Sequence, residues 1–197
     1  VRGVLEFAND AERRTRSQVE SVSYFLAEME SRRSGDGTDL ISEMLRTEVD
    51  GAAIPDEFIL GTVALTLIAG LDTTWSALGS MLWHLATHPD DTQRLVDEPD
   101  LLPTAIEEML RAYSPVTMAR IVAEDTELQG CPMKAGDRVI LNFPAANRDP
   151  NAFPHADQVI IDREINRHVA FGAGIHRCAG SNLARMELTV ALEEWLA

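Results

Sequence analysis

The segment that decides the fold lies near the end of the chain and has the sequence Phe171-Gly172-Ala173-Gly174-Ile175-His176-Arg177-Cys178-Ala179-Gly180. A helix is predicted to begin directly after it, so the sulfur of Cys178 lies near the positive end of a helix dipole. Glycines on both sides of the cysteine allow backbone N–H groups to approach the sulfur. These surroundings favour the thiolate, which is the form of cysteine that binds metals. Cys178 is therefore predicted to be a metal ligand.

Three interpretations of Cys178 are open at this point. An isolated cysteine is most often a small buried hydrophobic residue. Zinc could be bound by His168, His176 and Cys178, but no second clustered pair of ligands completes a tetrahedral site. A haem iron with a thiolate ligand fits the segment better, because Phe171 can shield the sulfur and His176 can donate to carboxylates of the bound group.

Apolar residues three and four positions apart predict helices along much of the remaining chain. The predicted helices cover residues 12–33, 55–87, 90–96, 103–112 and 181–196. The second is apolar on most sides and, at roughly 1.5 Å per residue, about 48 Å long. It is predicted to be the buried central helix of a large helical fold. In the last helix we expect four apolar residues to be available for packing: Leu183, Val190, Leu192 and Trp195.

The chain between the last two predicted helices has a different composition. Apolar and β-branched residues predict strands at 120–128 and 137–142, with a turn at Gln129-Gly130. Residues 143–168 contain three prolines and little periodicity, which predicts a long loop packed by its own side chains. The sequence thus predicts a mainly α-helical fold with a small β portion.

Composition excludes several classes of function. With 32 acidic and 17 basic residues the net charge is −15, which repels a phosphate backbone and argues against nucleic acid as a partner. Cys131 and Cys178 lie far apart, so neither a disulfide framework nor a zinc finger is indicated, and we expect a cytoplasmic protein. The longest apolar run, 58–71, is shorter than the roughly 20 residues that span a bilayer, so no membrane association is predicted.

The cysteine segment resembles the haem-binding loop of the cytochrome P-450 family, F-x-x-G-x-x-x-C-x-G. Four residues carry the resemblance: Phe171, Gly174, Cys178 and Gly180. The long helix carries Ala69-Gly70-Leu71-Asp72-Thr73, similar to the family's A-G-x-D/E-T motif, and the helix at 103–112 carries Glu108-Met109-Leu110-Arg111, similar to its E-x-x-R motif. Three motifs in this order are far more specific than any one of them.

The resemblance implies the C-terminal half of the cytochrome P-450 fold, in which a long central helix and the cysteine loop form the haem site. Asn147-Arg148-Asp149-Pro150 is similar to the soluble bacterial branch. Residues 1–197 would form one partial domain of a family member about twice as long. We therefore expect a truncated product, a partial record or one piece of a longer chain, with one face of the long helix exposed.

The resemblance also implies roles for individual residues. Cys178 would bind the iron of haem b, with Arg120 and His176 directed at its propionates, and Asp72 and Thr73 would deliver protons to dioxygen. Without the cysteine motif, Asp72 would instead be predicted as a buried acid paired with a distant arginine, and Thr73 would bond its own helix. The remaining residues predicted to contact haem are Ala69, Gly70, Thr73, Phe171, Gly172, Gly180 and Ala184.

Glu108 and Arg111 stand three apart on one helix and can form an ion pair. Most such pairs are solvated and contribute little to stability. The resemblance implies a buried pair, completed by an arginine from the loop that follows the strands. We place that third position at Gln158, in Ala156-Asp157-Gln158-Val159, and so expect an incomplete charged triad.

The function implied is that of a haem-thiolate monooxygenase. It would insert one oxygen atom from dioxygen into a lipophilic organic substrate, with electrons from NAD(P)H through a ferredoxin or similar electron-transfer protein. The alternative is a haem-binding or interaction protein without turnover, because truncation or Gln158 has removed catalytic competence. The 197-residue chain alone is expected to be inactive.

Overall fold

A computed structural model of the chain describes residues 10–197. Helix α1 (Ala11–Arg32) begins where the Asp10 carboxylate accepts the N–H of Arg13 at 3.0 Å. Helix α2 (Leu40–Arg46) begins in the same way at Asp39. Strands β1 (Glu48–Val49) and β2 (Ala52–Ala53) form an antiparallel hairpin, which like α2 was not predicted. Its turn is Asp50-Gly51, where both residues have positive φ, the conformation that two-residue hairpins favour.

Helix α3 (Asp56–Thr87) follows the prediction closely. The described residues cover it along only one stripe, which agrees with the exposed face expected of a partial domain but not with a helix buried on all sides. The buried apolar residues of the helix are Ile59, Ala77, Met81 and Leu85. Large apolar side chains elsewhere on it are exposed, with Phe58 at 68% and Trp75 at 74%. By length and composition alone, α3 is also the one described helix that could cross a membrane.

The chain divides into two compact units, one ending at Asp72 and the other extending from Thr73 to Ala197. In the second unit, helix α4 (Pro89–Asp97) is followed by a 3₁₀ turn (Pro99–Leu101) and helix α5 (Leu102–Ala112). Pro89 begins α4 because a proline in the first turn loses no helical hydrogen bond. Helix α5 is buried over most of its length, including both Glu108 and Arg111.

Two antiparallel strand pairs follow α5. Strand β3 (Met118–Ile121) pairs with β6 (Arg138–Leu141), and β4 (Thr126–Leu128) pairs with β5 (Cys131–Met133) around the predicted turn at Gln129-Gly130. The single strand predicted at 120–128 is thus two strands. The break has a local cause, because the Asp125 carboxylate accepts the backbone N–H of Ala135 and the Lys134 ammonium.

The predicted long loop contains one short helix, α6 (Phe143–Ala146), capped by the Asn142 side chain. Helix α7 (Ser181–Leu196) then ends the chain within the predicted bounds. Its buried apolar residues are Leu188 and Leu192, whereas Leu183, Val190 and Trp195 are exposed. The core of the second unit comprises residues from α3, α4, α5 and α7 together with one from the loop: Ala77, Met81, Leu85, Leu95, Leu102, Ala105, Ile106, Met109, Leu110, Ile161, Leu188 and Leu192.

Candidate functional site

The loop from Phe171 to Gly180 folds back on itself. The Cys178 N–H donates to the Phe171 carbonyl oxygen at 2.8 Å, which closes the loop. The backbone turns through positive φ at Gly172 (72°) and Gly174 (69°), a conformation that residues with a Cβ rarely adopt. Because α7 begins at Ser181, the sulfur lies one turn before the positive end of that helix, as predicted.

Cys178 itself is a free thiol exposed at the surface. It is therefore not the small buried hydrophobic residue that an isolated cysteine would usually be. The zinc interpretation also fails among residues 10–197, which contain no group of three histidine, cysteine or carboxylate side chains able to hold a metal ion. His176 is exposed, and His168 instead hydrogen-bonds Glu107.

Glu107 connects α5 to the cysteine loop and to α7. Arg185 donates from Nε to Glu107 Oε1 at 2.5 Å and from Nη2 to Oε2 at 2.9 Å, and His168 Nε2 lies 2.9 Å from Oε2. Burial would raise the pKa of Glu107, but the hydrogen bonds from Arg185 and His168 outweigh it and lower the pKa to about 2. The carboxylate is therefore ionised at neutral pH. Sequence reasoning missed this cluster.

Glu108, the next residue, belongs to a separate network. Its side chain and that of Arg111 are both 0% exposed and joined by two hydrogen bonds of 2.8 Å. Arg163 Nε donates to Glu108 Oε2 at 2.9 Å, and the Ile160 N–H donates to Oε1 at 2.9 Å. Burial would raise the pKa of Glu108, but the donors from Arg111, Ile160 and Arg163 lower it. The predicted buried pair is thus present.

The third member of the triad was placed wrongly. Gln158 is exposed and takes part only through its backbone carbonyl, which accepts from Arg111 Nη2 at 2.6 Å. The arginine that completes the triad is Arg163, whose side chain is 7% exposed. The loop turns back between the two positions, so sequence order alone could not decide between them. One signal was available, since Arg163 is the first arginine after Gln158.

Asn147 also connects the network to the cysteine loop, a contact that was not predicted from the sequence, although Asn147 lies in the segment similar to the bacterial branch. Its side-chain oxygen accepts the Val169 N–H at 2.7 Å, and its backbone oxygen accepts from Arg111 Nη1 at 2.7 Å. The residue is 0% exposed. Arg111 therefore stabilises the chain segment that leads into Phe171.

The motif on α3 lies across the boundary between the two units and is described separately. Ala69, Gly70 and Asp72 are exposed, and Thr73 is half-buried. Asp72 is therefore not a buried acid, and no described arginine forms an ion pair with it. Outside the helix backbone, a Cβ added at Gly70 would meet no atom within 4 Å among the described residues.

Two other predicted haem contacts lie outside the loop: Ala184 on α7 and Arg120 on β3. Ala184 donates its N–H to the Gly180 carbonyl at 2.9 Å, so it lies in the first turn of α7. Arg120 is exposed on β3 and donates to the neighbouring Ala119 carbonyl. The structure thus places Phe171, Cys178 and Ala184 on one continuous segment, with Arg120 on a different element.

These residues fit a haem group. The sulfur is exposed, and the nearest atom to a Cβ added at Gly180 would be Cys178 Sγ itself, at 4.0 Å. The space beside the sulfur is thus open to a flat ring system. Residues 173–180 are all exposed, with Ile175 at 95%, so the loop presents a surface of small, apolar and cationic groups that the described residues leave uncovered.

Comparison with known proteins agrees with this geometry. The sequence model of the family described as cytochrome P-450 matches residues 7–197. The probable cytochrome P-450 127A1 of Sinorhizobium fredii is 39% identical, over 95% of this chain and 45% of its own length. The steroid C26-monooxygenase of Mycolicibacterium smegmatis is 42% identical, over 84% of this chain and 41% of its own.

A solved structure is similar as well. The crystal structure of CYP109E1 from Bacillus megaterium in complex with corticosterone superimposes with a TM-score of 0.90 at 37% identity, covering 96% of this chain and 52% of that one. The chain thus spans about half the length of the relatives it matches. With a family match over nearly all of its residues and bacterial relatives, the chain belongs to the cytochrome P-450 family, whose cofactor is haem b.

Proposed function

We propose that the protein is a haem-thiolate monooxygenase in which Cys178 is the axial ligand. The observation that carries the proposal is the exposed, unpaired thiol of Cys178 at the start of α7, in a loop closed by its own backbone. When bound, haem b supplies the activation of dioxygen and the transfer of one oxygen atom to substrate.

The cysteine loop would hold and shield the ligand. The dipole of α7 would stabilise negative charge on the sulfur, and with haem bound the ring of Phe171 would limit its access to water. The bends at Gly172 and Gly174 bring the loop backbone round the sulfur. Gly180 leaves room beside it for the ring system, and Ala184 would contact the same group from the first turn of α7.

Cationic and neutral donors would bind the carboxylates of the group. His176 is exposed and has no hydrogen-bond partner for its ring among residues 10–197, so it can donate to a propionate. Arg120 is exposed on β3, and its bond to the Ala119 carbonyl is an exchangeable surface contact. We propose both as propionate contacts.

The motif on α3 would deliver protons to the reaction. Ala69 and Gly70 have small side chains and are exposed, so a flat group can approach the helix there. Asp72 is solvent-exposed and can exchange protons with water through its carboxylate. The Thr73 hydroxyl, on the next residue, would pass a proton toward the reacting oxygen, which is why we propose Asp72 and Thr73 as the catalytic pair.

The proposed function also concerns the fold of the whole chain, the substrate class and the electron donor. We propose that residues 1–197 are one partial domain, the C-terminal half of the family fold, in support of which α3 continues unbroken from the first unit into the second. A lipophilic substrate is supported by the apolar character of the exposed side of α3, and by a relative named as a steroid monooxygenase. Electrons would come from a ferredoxin or similar protein in the cytoplasm, without membrane or nucleic acid.

Oxygen-isotope labelling tests the reaction class directly. The complete gene product, loaded with haem and supplied with NAD(P)H and a surrogate ferredoxin system, is incubated with steroid-like and terpenoid-like substrates under ¹⁸O₂. Incorporation of one labelled atom per product molecule is the expected result. Products whose oxygen derives from water would contradict a monooxygenase.

The proton pair has its own test. Thr73→Ala should divert electrons to hydrogen peroxide at the expense of product, because the ordered proton donor is lost. Asp72→Asn should slow turnover more than it weakens substrate binding. Thr62→Ala, whose hydroxyl bonds the Phe58 carbonyl on the same helix, is the matched control and should leave coupling unchanged. Unchanged coupling in both Thr73→Ala and Asp72→Asn would show that this pair does not deliver protons.

The second candidate is haem binding without turnover. One reason for it, the absence of the third triad member, is removed by Arg163. The other remains, because the chain spans about half the length of its relatives. The two functions separate on NAD(P)H consumption with the surrogate system, since haem that takes up no electrons favours the second.

A further inference from the structure

We propose that Arg185 is a positioning residue that holds the cysteine loop through the ring of Phe171, and that Glu107 and His168 fix Arg185 and the loop entrance for this purpose. The inference rests on the proposed function, in which Cys178 binds haem. It assigns a role to three residues that form one contact chain from α5, through α7, to the loop.

Arg185 is held in one orientation. Its guanidinium binds both oxygens of Glu107, at 2.5 and 2.9 Å, which is the two-point geometry that fixes an arginine plane. The central carbon of the guanidinium lies 4.5 Å from the centre of the Phe171 ring. A planar cation at this distance stacks favourably on an aromatic face. Glu107 thus determines where the Phe171 ring can lie.

Phe171 connects the position of its ring to the backbone of Cys178. Its carbonyl oxygen accepts the Cys178 N–H at 2.8 Å, the hydrogen bond that closes the loop. A ring held from above by Arg185 fixes the Phe171 backbone, and the backbone fixes the amide of Cys178. The path from Glu107 to the cysteine therefore consists of direct contacts throughout.

His168 holds the entrance of the same loop against the same carboxylate. Its Nδ1 accepts the Ala170 N–H at 3.2 Å, which assigns the proton to Nε2, and Nε2 donates to Glu107 at 2.9 Å. The side chain is 4% exposed. One half-buried carboxylate on α5 thus fixes both the loop entrance and the cation that stacks on Phe171.

The charge of Arg185 also reaches the sulfur. Its guanidinium carbon lies 4.5 Å from the centre of the Phe171 ring, and the Phe171 carbonyl is hydrogen-bonded to the Cys178 N–H. A positive charge beside the loop favours the more negative, reduced form of a group bound there. Loss of the cation should therefore make reduction of that group harder.

The neighbouring Glu108 network does not account for these contacts. Glu108 binds Arg111, Arg163, Asn166 and the Ile160 amide, and none of these binds Glu107. Since the two carboxylates have separate partners, the Glu107 cluster can be altered while the triad stays intact.

The test compares Arg185→Gln and Arg185→Lys with Arg94→Gln in the complete, haem-loaded gene product. Arg94 is an ion-paired arginine elsewhere in the same unit, so its variant makes the same change in charge. Arg185→Gln should raise hydrogen exchange of the peptide 171–180 about tenfold, because charge-assisted hydrogen bonds that hold the loop are lost. It should also lower the reduction potential of the haem. Arg185→Lys should restore most of the potential but little of the protection, since it keeps the charge and loses the planar stack.

The outcomes separate this inference from the proposed function. A wild-type protein without a thiolate-type spectrum would overturn both. A thiolate-type spectrum in the wild type, with exchange and potential in Arg185→Gln equal to those of Arg94→Gln, would overturn the positioning role alone. If Arg185→Gln fails to retain haem, exchange of the peptide 171–180 is compared between haem-free wild type and haem-free variant, and equal rates would again overturn it.

Discussion

The Glu108 network and the cysteine loop both belong to the second unit and differ in how they are held. The side chains of Glu108 and Arg111 are fully buried, and their charged atoms bind protein groups. Residues 173–180 are all exposed, and their conformation depends on backbone turns and on backbone hydrogen bonds such as the one between Cys178 and Phe171.

This difference shows that the groups of the Glu108 network are satisfied by the protein, whereas those of the cysteine loop are left open. A buried ion network must satisfy every charge from the protein, since an unpaired charge there is very costly. An exposed loop with a free thiol needs no such compensation and leaves its contacts for a bound group. Substitutions in the network should therefore affect folding, and substitutions in the loop should affect cofactor binding.

The largest expected effect is on the network. Glu108→Ala leaves the buried guanidinium of Arg111 without its carboxylate, which should cost about 3–5 kcal/mol of unfolding free energy. Chemical denaturation followed by circular dichroism measures it. Glu98→Ala, which removes an exposed partner of Arg94, is the control and should leave the midpoint nearly unchanged. Equal midpoints for the two variants would show that the network is not stabilising.

The next largest difference in unfolding free energy is expected between substitutions of Arg163 and of Gln158. Arg163→Met removes the donor to Glu108 Oε2 and should cost roughly 2–3 kcal/mol, the range for a hydrogen bond to a charged group plus the desolvated remainder. Gln158→Arg should change stability and haem retention little, since only the backbone carbonyl of Gln158 is used. A Gln158→Arg protein with clearly higher haem retention would restore the original assignment of the third position.

Acid should weaken the Glu107 cluster in a defined window. Because the pKa of Glu107 falls from 4.5 to about 2 on folding, its contribution is fully present above pH 4.5 and is lost as the pH falls toward 2. At about 1.4 kcal/mol per pKa unit it amounts to at most about 3.5 kcal/mol. The difference in unfolding free energy between wild type and Glu107→Gln, measured against pH, should shrink through this window. A difference independent of pH would exclude the ionised, paired carboxylate.

The smallest effect on stability is expected in the loop. Ile175 is 95% exposed, so Ile175→Ser should change the unfolding free energy of the haem-free protein by less than about 0.5 kcal/mol. The same substitution should weaken haem retention if the loop surface covers a bound group. Thermal melts and haem titrations on one preparation give both values. A large loss of stability without haem would show that the loop is part of the folded core.

Local signals in the sequence were sufficient for the long elements. Helix α3 is a long apolar run between Pro55 and Pro89, helices α4 and α5 have strong apolar periodicity, and the turn at Gln129-Gly130 has residues that accept positive φ. Helix α2 and the β1–β2 hairpin are too short for periodicity to be visible. Burial was predicted less well, because the faces of α3 and α7 that carry Trp75 and Trp195 are apolar but uncovered by the described residues.

The site residues likewise divide into those that local sequence motifs predict and those that only tertiary contacts identify. Residues joined by sequence motifs, such as Phe171 and Cys178, were found because the loop is continuous. Arg163 was missed because a non-periodic loop decides which side chain reaches Glu108, and Arg185 was missed because its partner lies on a different helix. Contacts of this kind depend on tertiary structure and have no local signature.

The most direct test of the central claim, that Cys178 is the thiolate ligand of haem, is the carbon monoxide difference spectrum of the reduced, haem-loaded gene product. Cys131→Ser is the matched control, since Cys131 is also a free, exposed cysteine. A thiolate-type band is expected in the wild type and in Cys131→Ser, and its loss in Cys178→Ser. A Cys178→Ser protein that keeps the thiolate-type band would contradict ligation by Cys178.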